Sequence, residues 1–452
     1  MRRVVKVSRI RIIITIIVVV LTTLLTGCTG KEPNEIAYVV ALGIDSTDDD
    51  NYKITIQYAN TTQISGGTSE SGGKAGSEIV DNVTIEAPNI YAGVGLANNI
   101  VSKSFSMSHA KLIVFSKEMA EKGVKDMIET LVRSEEIRPD VFIAVANTTA
   151  NDYLTSVNPE MEVNPAQYYQ LIYQKNQLVG IPDGQLREFF TGLYTDNYDS
   201  ILPVAGVIEG SGGNSQNDDK GQSKDGQNEG SEGLDSFESK SSNEKDENEK
   251  EKDAEKNTSK YEYDIKNYIG GETAIEKKNK AEAIGAAVFE KDKMVGELGE
   301  VETEICKMLK GDYTYSYLTY YNNDTPDIPI TVKTTQQKKP KYKIDTDKKT
   351  VDIELYIESD LYSLPADYNV ENKIEDFERN VANYTSSTCT EFINNFTKKY
   401  NSDILKLNEK VKYKFLTNNQ YNWFKKNVGW SEYKFSVCTD FKVRRTGLIV
   451  RE

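Results

Sequence analysis

The residues of this chain that could do chemistry are few and scattered. There is one histidine, His109, in the stretch Ser106-Met107-Ser108-His109-Ala110-Lys111. A lone histidine serves as a general base only with a nucleophile or metal beside it. No motif supplies either, so a structural hydrogen-bonding role is the reading here. Two Ser-x-x-Lys pairs, Ser71 with Lys74 and Ser242 with Lys245, and the triplet Arg445-Thr446-Gly447 loosely match elements of penicillin-binding enzymes. Both serines lie in low-complexity stretches rather than at the start of a core helix, which removes that chemistry. Gly93-Val94-Gly95 lacks the third glycine of a dinucleotide fingerprint. Asp48-Asp49-Asp50 and Asp345-Thr346-Asp347 lack the glycine and terminal glutamate of an EF-hand loop. Cys306, Cys389 and Cys438 are odd in number and widely spaced, giving neither a disulfide framework nor a zinc pattern. They read as small buried core residues. No catalytic residue, metal site or cofactor is expected.

The fourth cysteine has a chemistry of its own. Arg2, Arg3, Lys6, Arg9 and Arg11 make a positive start, and an apolar run over residues 12–25 follows. That run is too short for a spanning helix, which needs about 20 apolar residues, and fits the core of a signal peptide. Leu25-Thr26-Gly27-Cys28 then has the pattern of a bacterial lipobox. There the cysteine sulfur takes a diacylglyceryl group, and cleavage leaves Cys28 as the first residue. An uncleaved signal anchor with a free cysteine is the alternative. Acyl chains bury CH₂ groups at about 0.8 kcal/mol apiece, so two or more hold a protein on a bilayer without insertion.

Composition limits the partners. Loss of residues 1–27 removes five positive side chains and no acidic one, which moves the formal charge from −15 to −20. So acidic a chain is a poor ligand for nucleic acid or for anionic lipid. Attachment to the lipid bilayer therefore rests on acylated Cys28.

The elements divide the chain into parts. Residues 211–260 contain only Leu234, Phe237 and Ala254 as apolar side chains. Such a stretch buries too little surface to offset its ordering entropy. It reads as a disordered linker with a span of roughly 40 Å, or else as an acidic partner-binding segment. Before it, strands over residues 36–45, 52–58, 79–86, 111–115 and 141–146 alternate with helices over 89–101, 117–133 and 149–154. This predicts a mixed sheet covered by helices. Helices over 164–178 and 183–194 follow, then a strand at 201–204. After the linker, strands 283–289 and 293–298 form a hairpin around Glu290-Lys291-Asp292, and a helix covers 300–310. Residues 313–358 read as antiparallel strands, with the basic run at 338–343 as a solvated hairpin. A long helix spans 371–400, with Ile374, Phe377, Val381, Tyr384, Thr388, Phe392 and Phe396 as one stripe, read as core or else as a partner-binding face. A strand over 433–444 closes the chain. The fold class is α+β and multidomain, with mixed and antiparallel sheets covered by helices. The expected parts are a signal peptide at 1–27, an N-terminal α/β-type domain at 28–160 and a helical part of a middle domain at 161–210. A linker at 211–270, the rest of the middle domain at 271–312 and a C-terminal α+β domain at 313–452 complete it.

Three stretches in order resemble a known family. They are Ala41-Leu42-Gly43-Ile44-Asp45, the run from Ser108 to Gly123 (SHAKLIVFSKEMAEKG), and the run from Gly285 to Leu298 (GAAVFEKDKMVGEL). Behind a lipobox they resemble the Ger(x)C family, the C subunits of spore germinant receptors. The resemblance implies a three-domain α+β lipoprotein on the outer face of the spore inner membrane, without catalytic residues. It implies membrane-embedded A and B subunits as partners and a part in triggering germination by nutrients. Only the lipid site is carried over, onto Cys28. The chain departs from the family after the long helix, where an Asp-Ile-x-Gly-x-Gly-like stretch is usual. Here Asp403-Ile404-Leu405-Lys406-Leu407-Asn408 has no glycine. With none for a positive-φ turn, that loop is expected to take a different shape. Trp423 and Trp430 are present without the usual proline. A solute-binding lipoprotein of a transporter is the alternative function, and it would need two similar lobes around a cleft. A cell-wall enzyme lacks any acid, base or nucleophile constellation.

Overall fold

The computed structural model describes residues 13–18, 35–49, 51–59, 80–158, 164–174, 180–195, 197–208, 261–262, 267–273, 279–322, 325–364 and 373–446. Cys28 and the acidic stretch 211–260 lie outside the described residues, as do both Ser-x-x-Lys pairs. Residues 13–18 are helical, and no helix among the described residues is long and apolar enough to cross a membrane.

The first half runs β1 (Ile36–Ser46), β2 (Tyr52–Ala59), β3 (Val80–Ala87), α1 (Ile90–Ile100), β4 (Ser104–Ser106), β5 (Leu112–Ser116), α2 (Lys117–Lys122), α3 (Lys125–Val132), β6 (Phe142–Ala146), α4 (Ala150–Ser156), α5 (Pro165–Gln174), α6 (Leu186–Thr195) and β7 (Ile201–Val207). The second half runs β8 (Tyr261–Glu262), β9 (Ala281–Glu290), β10 (Lys293–Leu298), α7 (Glu300–Lys310), β11 (Tyr315–Asn322), β12 (Thr325–Thr335), β13 (Lys341–Asp345), β14 (Thr350–Ser363), α8 (Ile374–Tyr400), α9 (Leu407–Val411), α10 (Asn418–Asn427) and β15 (Lys434–Arg445).

Nine strands make the first sheet, in the order β10-β9-β7-β6-β5-β1-β2-β3, with β4 beside β1. Its centre, β1-β5-β6-β7, is parallel, and its flanks are antiparallel. LIVFS and FIAVA, in β5 and β6, are buried at every position. Continuous burial of this kind belongs to a sheet covered on both faces. Ile113, Phe115, Ile128, Phe189 and Phe289 pack on one face. Leu112, Val114, Tyr153, Tyr169 and Tyr173 pack on the other. Gly93 and Gly95 weaken α1 by propensity, yet the helix forms. A Cβ on Gly93 would lie 2.8 Å from Ile54 Cδ1, so close packing of α1 on β2 needs the bare backbone. The helix expected over 117–133 is two helices, because Gly123 takes φ 125° and ends α2 after one and a half turns.

The six-stranded second sheet is ordered β13-β14-β12-β11-β8, with β15 parallel to β14. β12 and β13 pair with different ends of the same edge of β14, and β15 runs along the other edge. β14 and β15 alternate buried and exposed positions, as strands with one covered face do. That face is covered by α8, which makes the crossover that a parallel β14–β15 pair requires. Cys438 is exposed rather than a core residue. Phe435 and Val437 point inward on β15, so period two turns Cys438 outward. Cys306 and Cys389 are buried.

One apolar cluster joins the two sheets. It holds Ala286, Val288 and Leu298 of the first sheet with Ile353, Leu355 and Phe435 of the second, together with Phe396, Leu405 and Trp430.

Candidate functional site

The loop after α8 meets the first sheet in a network of hydrogen bonds. Asn401 takes φ 48° and ends α8 with its N–H on Thr397 O. Asp403 then turns inward and is buried, and its two carboxylate oxygens accept the N–H groups of Leu407 at 2.7 Å and Asn408 at 2.8 Å. This satisfies the free donors at the start of α9. Its backbone closes on a residue 204 positions earlier. Asp403 N–H donates to Asp199 Oδ2 at 2.9 Å, and Asp199 N–H donates to Asp403 O at 3.2 Å. Asp199 Oδ1 also accepts the N–H of Lys291, in the β9–β10 turn, at 3.3 Å.

Cations and rings flank the clasp. Lys406 Nζ lies 3.4 Å from Glu188 Oε2 and 4.3 Å from the centre of the Tyr198 ring. Lys425 donates to Thr195 O at 3.1 Å and to Asn197 Oδ1 at 3.0 Å. Trp430 is buried and donates from Nε1 to Asn408 Oδ1 at 3.2 Å. Trp423 is exposed. A cleft of about 600 Å³ opens here, lined by Tyr198, Asp199, Lys291, Asp403, Lys425 and Trp430 among others. Burial pushes Asp403 up to about 7, against the two backbone N–H groups that favour its charged form. Lys410 is held below its usual range by burial as well.

This loop departs from the glycine pattern of the family. Lys406 stands where the family pattern has glycine, and it takes φ 57°, ψ 39°. Glu188 and Tyr198 hold its side chain, and Asp403 holds the two residues that follow. The sequence carried the clue only as an Asp four residues ahead of a helix start.

The arrangement ties the loop after α8 to the start of β7 and to the β9–β10 turn. The side chains at the clasp make a carboxylate pair engaged with backbone donors, with no nucleophile activated beside them. His109 is not among the residues that line this cleft; it is exposed, with Nδ1 3.0 Å from Ser108 Oγ and its ring against Tyr38. Asp345 accepts the N–H groups of Asp347 and Lys348 in a tight turn, which accounts for its carboxylate without calcium. Among the described residues no group of three His, Cys, Asp or Glu is placed to hold a metal ion.

Residues 30–207 match the family model described as the spore germination protein N-terminal domain, and residues 284–447 match spore germination B3/GerAC-like, C-terminal. The chain belongs to the Ger(x)C family of spore germination proteins. Together the two matches hold both sides of the clasp, Asp199 in one and Lys291 and Asp403 in the other. The chain is similar to spore germination protein KC of Bacillus subtilis, at 26% identity over 174 residues, 35% of this chain and 42% of that one. It is similar also to spore germination protein B3 of the same organism, at 26% identity over 148 residues, 30% of this chain and 36% of that one. Each match thus spans less than half of the relative's length. Among solved structures, the crystal structure of the GerBC protein aligns with TM-score 0.48 and 15% identity over 89% of this chain and 96% of that one. The two sheets, one mixed and covered on both faces and one with a single covered face, are unlike, which goes against the paired lobes of a solute-binding lipoprotein.

Proposed function

We propose that this Ger(x)C protein is the lipid-anchored, non-catalytic C subunit of a nutrient germinant receptor. It works with membrane-embedded A and B subunits at the outer face of the spore inner membrane. The match of both family domains, in order and across most of the chain, carries this reading. The lipobox ending in Cys28 supports the anchor. The clasp of Asp199 and Asp403 across the two family domains supports a role in binding and assembly. The division into an N-terminal, a middle and a C-terminal domain belongs to the same proposal, with the shared apolar cluster holding the parts as one unit.

The reading is tested on spores. Deletion of the gene abolishes dipicolinic acid release to one class of nutrient, while release by a trigger that bypasses receptors is unchanged. Spores with Cys28→Ala as the sole copy show the same defect, and the protein leaves the membrane fraction. Normal nutrient response in the deletion strain, with any sister receptor gene also deleted, overturns the receptor role. Membrane retention of the Cys28→Ala protein overturns the anchor.

A further inference from the structure

The net charge of −15 conceals one basic stretch. From Lys410 to Ser431 the chain has five lysines and no acidic residue. The stretch holds α10 and the turn before it, and three large side chains there face water. Tyr413 is 80% exposed, Leu416 94% and Trp423 64%. One exposed leucine or tyrosine needs no account, but the fold sets these three apart from the core. Leu416 stands just before the cap Thr417, where an apolar side chain usually packs on the residue five positions on. That residue is Tyr421, and Phe415 has taken the place, its ring 5.9 Å from that of Tyr421 and 5.0 Å from that of Phe424. On α10 Tyr421 and Phe424 are buried, which puts Trp423 on the outer face, with Lys426 three residues on beside it.

The lysines are not all free. Lys410 donates to Leu405 O, Lys414 to Ile344 O, and Lys425 to Thr195 O and Asn197 Oδ1. Lys412 and Lys426 are exposed and in no ion pair among the described residues. Of the carboxylates that bound the stretch, Glu432 is paired with Lys349, and Glu409 is exposed. Glu290 lines the same cleft as Lys426. The tip keeps a positive balance on a negative molecule.

The tip also lies at the end of the body where the chain enters it. Tyr421 Oη donates to Asn197 Oδ1 at 3.2 Å, which with the Lys425 bonds ties α10 to the residues just before β7. β1, β5, β6 and β7 are parallel, and their register sets Val204 level with Val145, Phe115 and Ile44 in turn. Five positions back on each outer strand, Asp199 and Val39 stand at one end of the sheet, three strand spacings or about 14 Å apart. β1 begins there at Ile36. From Cys28 to Ile36 the chain reaches at most about 29 Å. A lipid on Cys28 therefore holds a bilayer close to the end of the body that carries α10.

We propose that this tip docks on an anionic bilayer surface, with Tyr413, Leu416 and Trp423 in the head-group layer and Lys412 and Lys426 against lipid phosphates. Tryptophan, tyrosine and lysine are side chains that settle at a membrane–water interface, each with an apolar body and a polar end. An anionic leaflet attracts lysines that come within a Debye length of it. The lysines alone would suit an acidic protein as well, and the short tether is what favours the bilayer. That part of the argument rests on the anchor at Cys28, and the makeup of the tip does not.

The chain carries its own probe. Trp423 and Trp430 are its two tryptophans, and Trp430 is buried. The full chain as the cell makes it is mixed with vesicles of acyl-brominated phosphatidylcholine, alone or with about 30% phosphatidylglycerol. On the anionic vesicles the bromines quench Trp423 and its emission shifts to the blue, and Trp423→Phe loses this signal. Lys412→Glu together with Lys426→Glu cuts the quenching by at least about half, and so does Tyr413→Ser together with Leu416→Ser. All five positions are exposed, and circular dichroism checks that the variants fold. Flotation on phosphatidylcholine vesicles reads the anchor by itself. A chain that floats there while Trp423 stays unquenched on both kinds of vesicle overturns the docking and leaves the anchor standing, with a protein as the occupant of the tip. A chain that does not float there has no anchor, and quenching on the anionic vesicles then decides the docking alone. Wild-type quenching in both paired variants overturns the proposal.

Discussion

Asp403 and Glu304 are both buried carboxyls, both pushed up to about 7 by the same cause, loss of water. Their surroundings differ. Asp403 has backbone N–H groups on both oxygens and lies in a loop that those bonds define. Glu304 stands on a regular helix that needs nothing from it, and one of its oxygens has no donor. Burial alone therefore does not tell a carboxyl that shapes the chain from one that the fold merely tolerates. The set of partners does. A group that caps a helix is already committed to the fold, while a group left short of a donor is destabilising in its charged form.

Removal of each carboxyl separates the two cases. Asp403→Ala leaves two N–H groups unpaired at the start of α9 and is expected to destabilise the chain by about 3 kcal/mol, measured by urea unfolding. A loss under half of that means the clasp is held by its backbone bonds alone. Glu304→Gln goes the other way, and its effect depends on pH. The folded-state pKa of Glu304 lies above its unfolded value, so the folded state holds the proton more tightly. Wild-type stability from this group is then full below about 4.5 and is lost as pH rises through about 7. Glu304→Gln removes that loss, so its advantage over wild type grows by about 2 kcal/mol between pH 5 and pH 8. A difference that is the same at both pH values would show that Glu304 does not titrate in this range. The smallest effect is at Lys406. Lys406→Gly and Lys406→Ala both lose the contacts with Glu188 and Tyr198, but only Gly takes φ 57° without strain. Gly is expected to be more stable than Ala by about 1 kcal/mol, and equal midpoints would mean that the turn relaxes.

Much of this fold is legible in the residues. Apolar runs and alternation place β1, β2, β5, β6 and β15, and the β9–β10 hairpin turns at Lys291 as expected. The α+β class and the long helix follow from the same patterns. Other parts are set by contacts that no local pattern records. NNQYNWFKKN, in α10, has too few apolar residues to read as a helix, but Thr417 caps it and Tyr421 and Phe424 find a core in three dimensions. On α8 the predicted stripe holds at Phe377, Val381 and Phe396. Between them the buried positions are Cys389 and Ile393, while Tyr384, Thr388 and Phe392 are only half-buried. Those three line the seam with α7, and periodicity cannot see how far a neighbouring helix covers a stripe. Neither could it see the clasp, because Asp199 and Asp403 are ordinary acidic residues until the fold brings them together.

The register of β7 on β9 has one more consequence. Val207 pairs with Ala281, so the chain leaves the first sheet and re-enters it at adjacent positions of antiparallel neighbours. Topologically, residues 208–280 are the connection of one hairpin, within which β8 and residues 267–273 are tied to the rest of the fold. The entropy of closing a flexible loop grows only with the logarithm of its length, about 0.6 kcal/mol for each doubling. Chain length between Ile208 and β8 is therefore nearly neutral to folding, and insertions and deletions can accumulate there across generations without selection for the sheet opposing them.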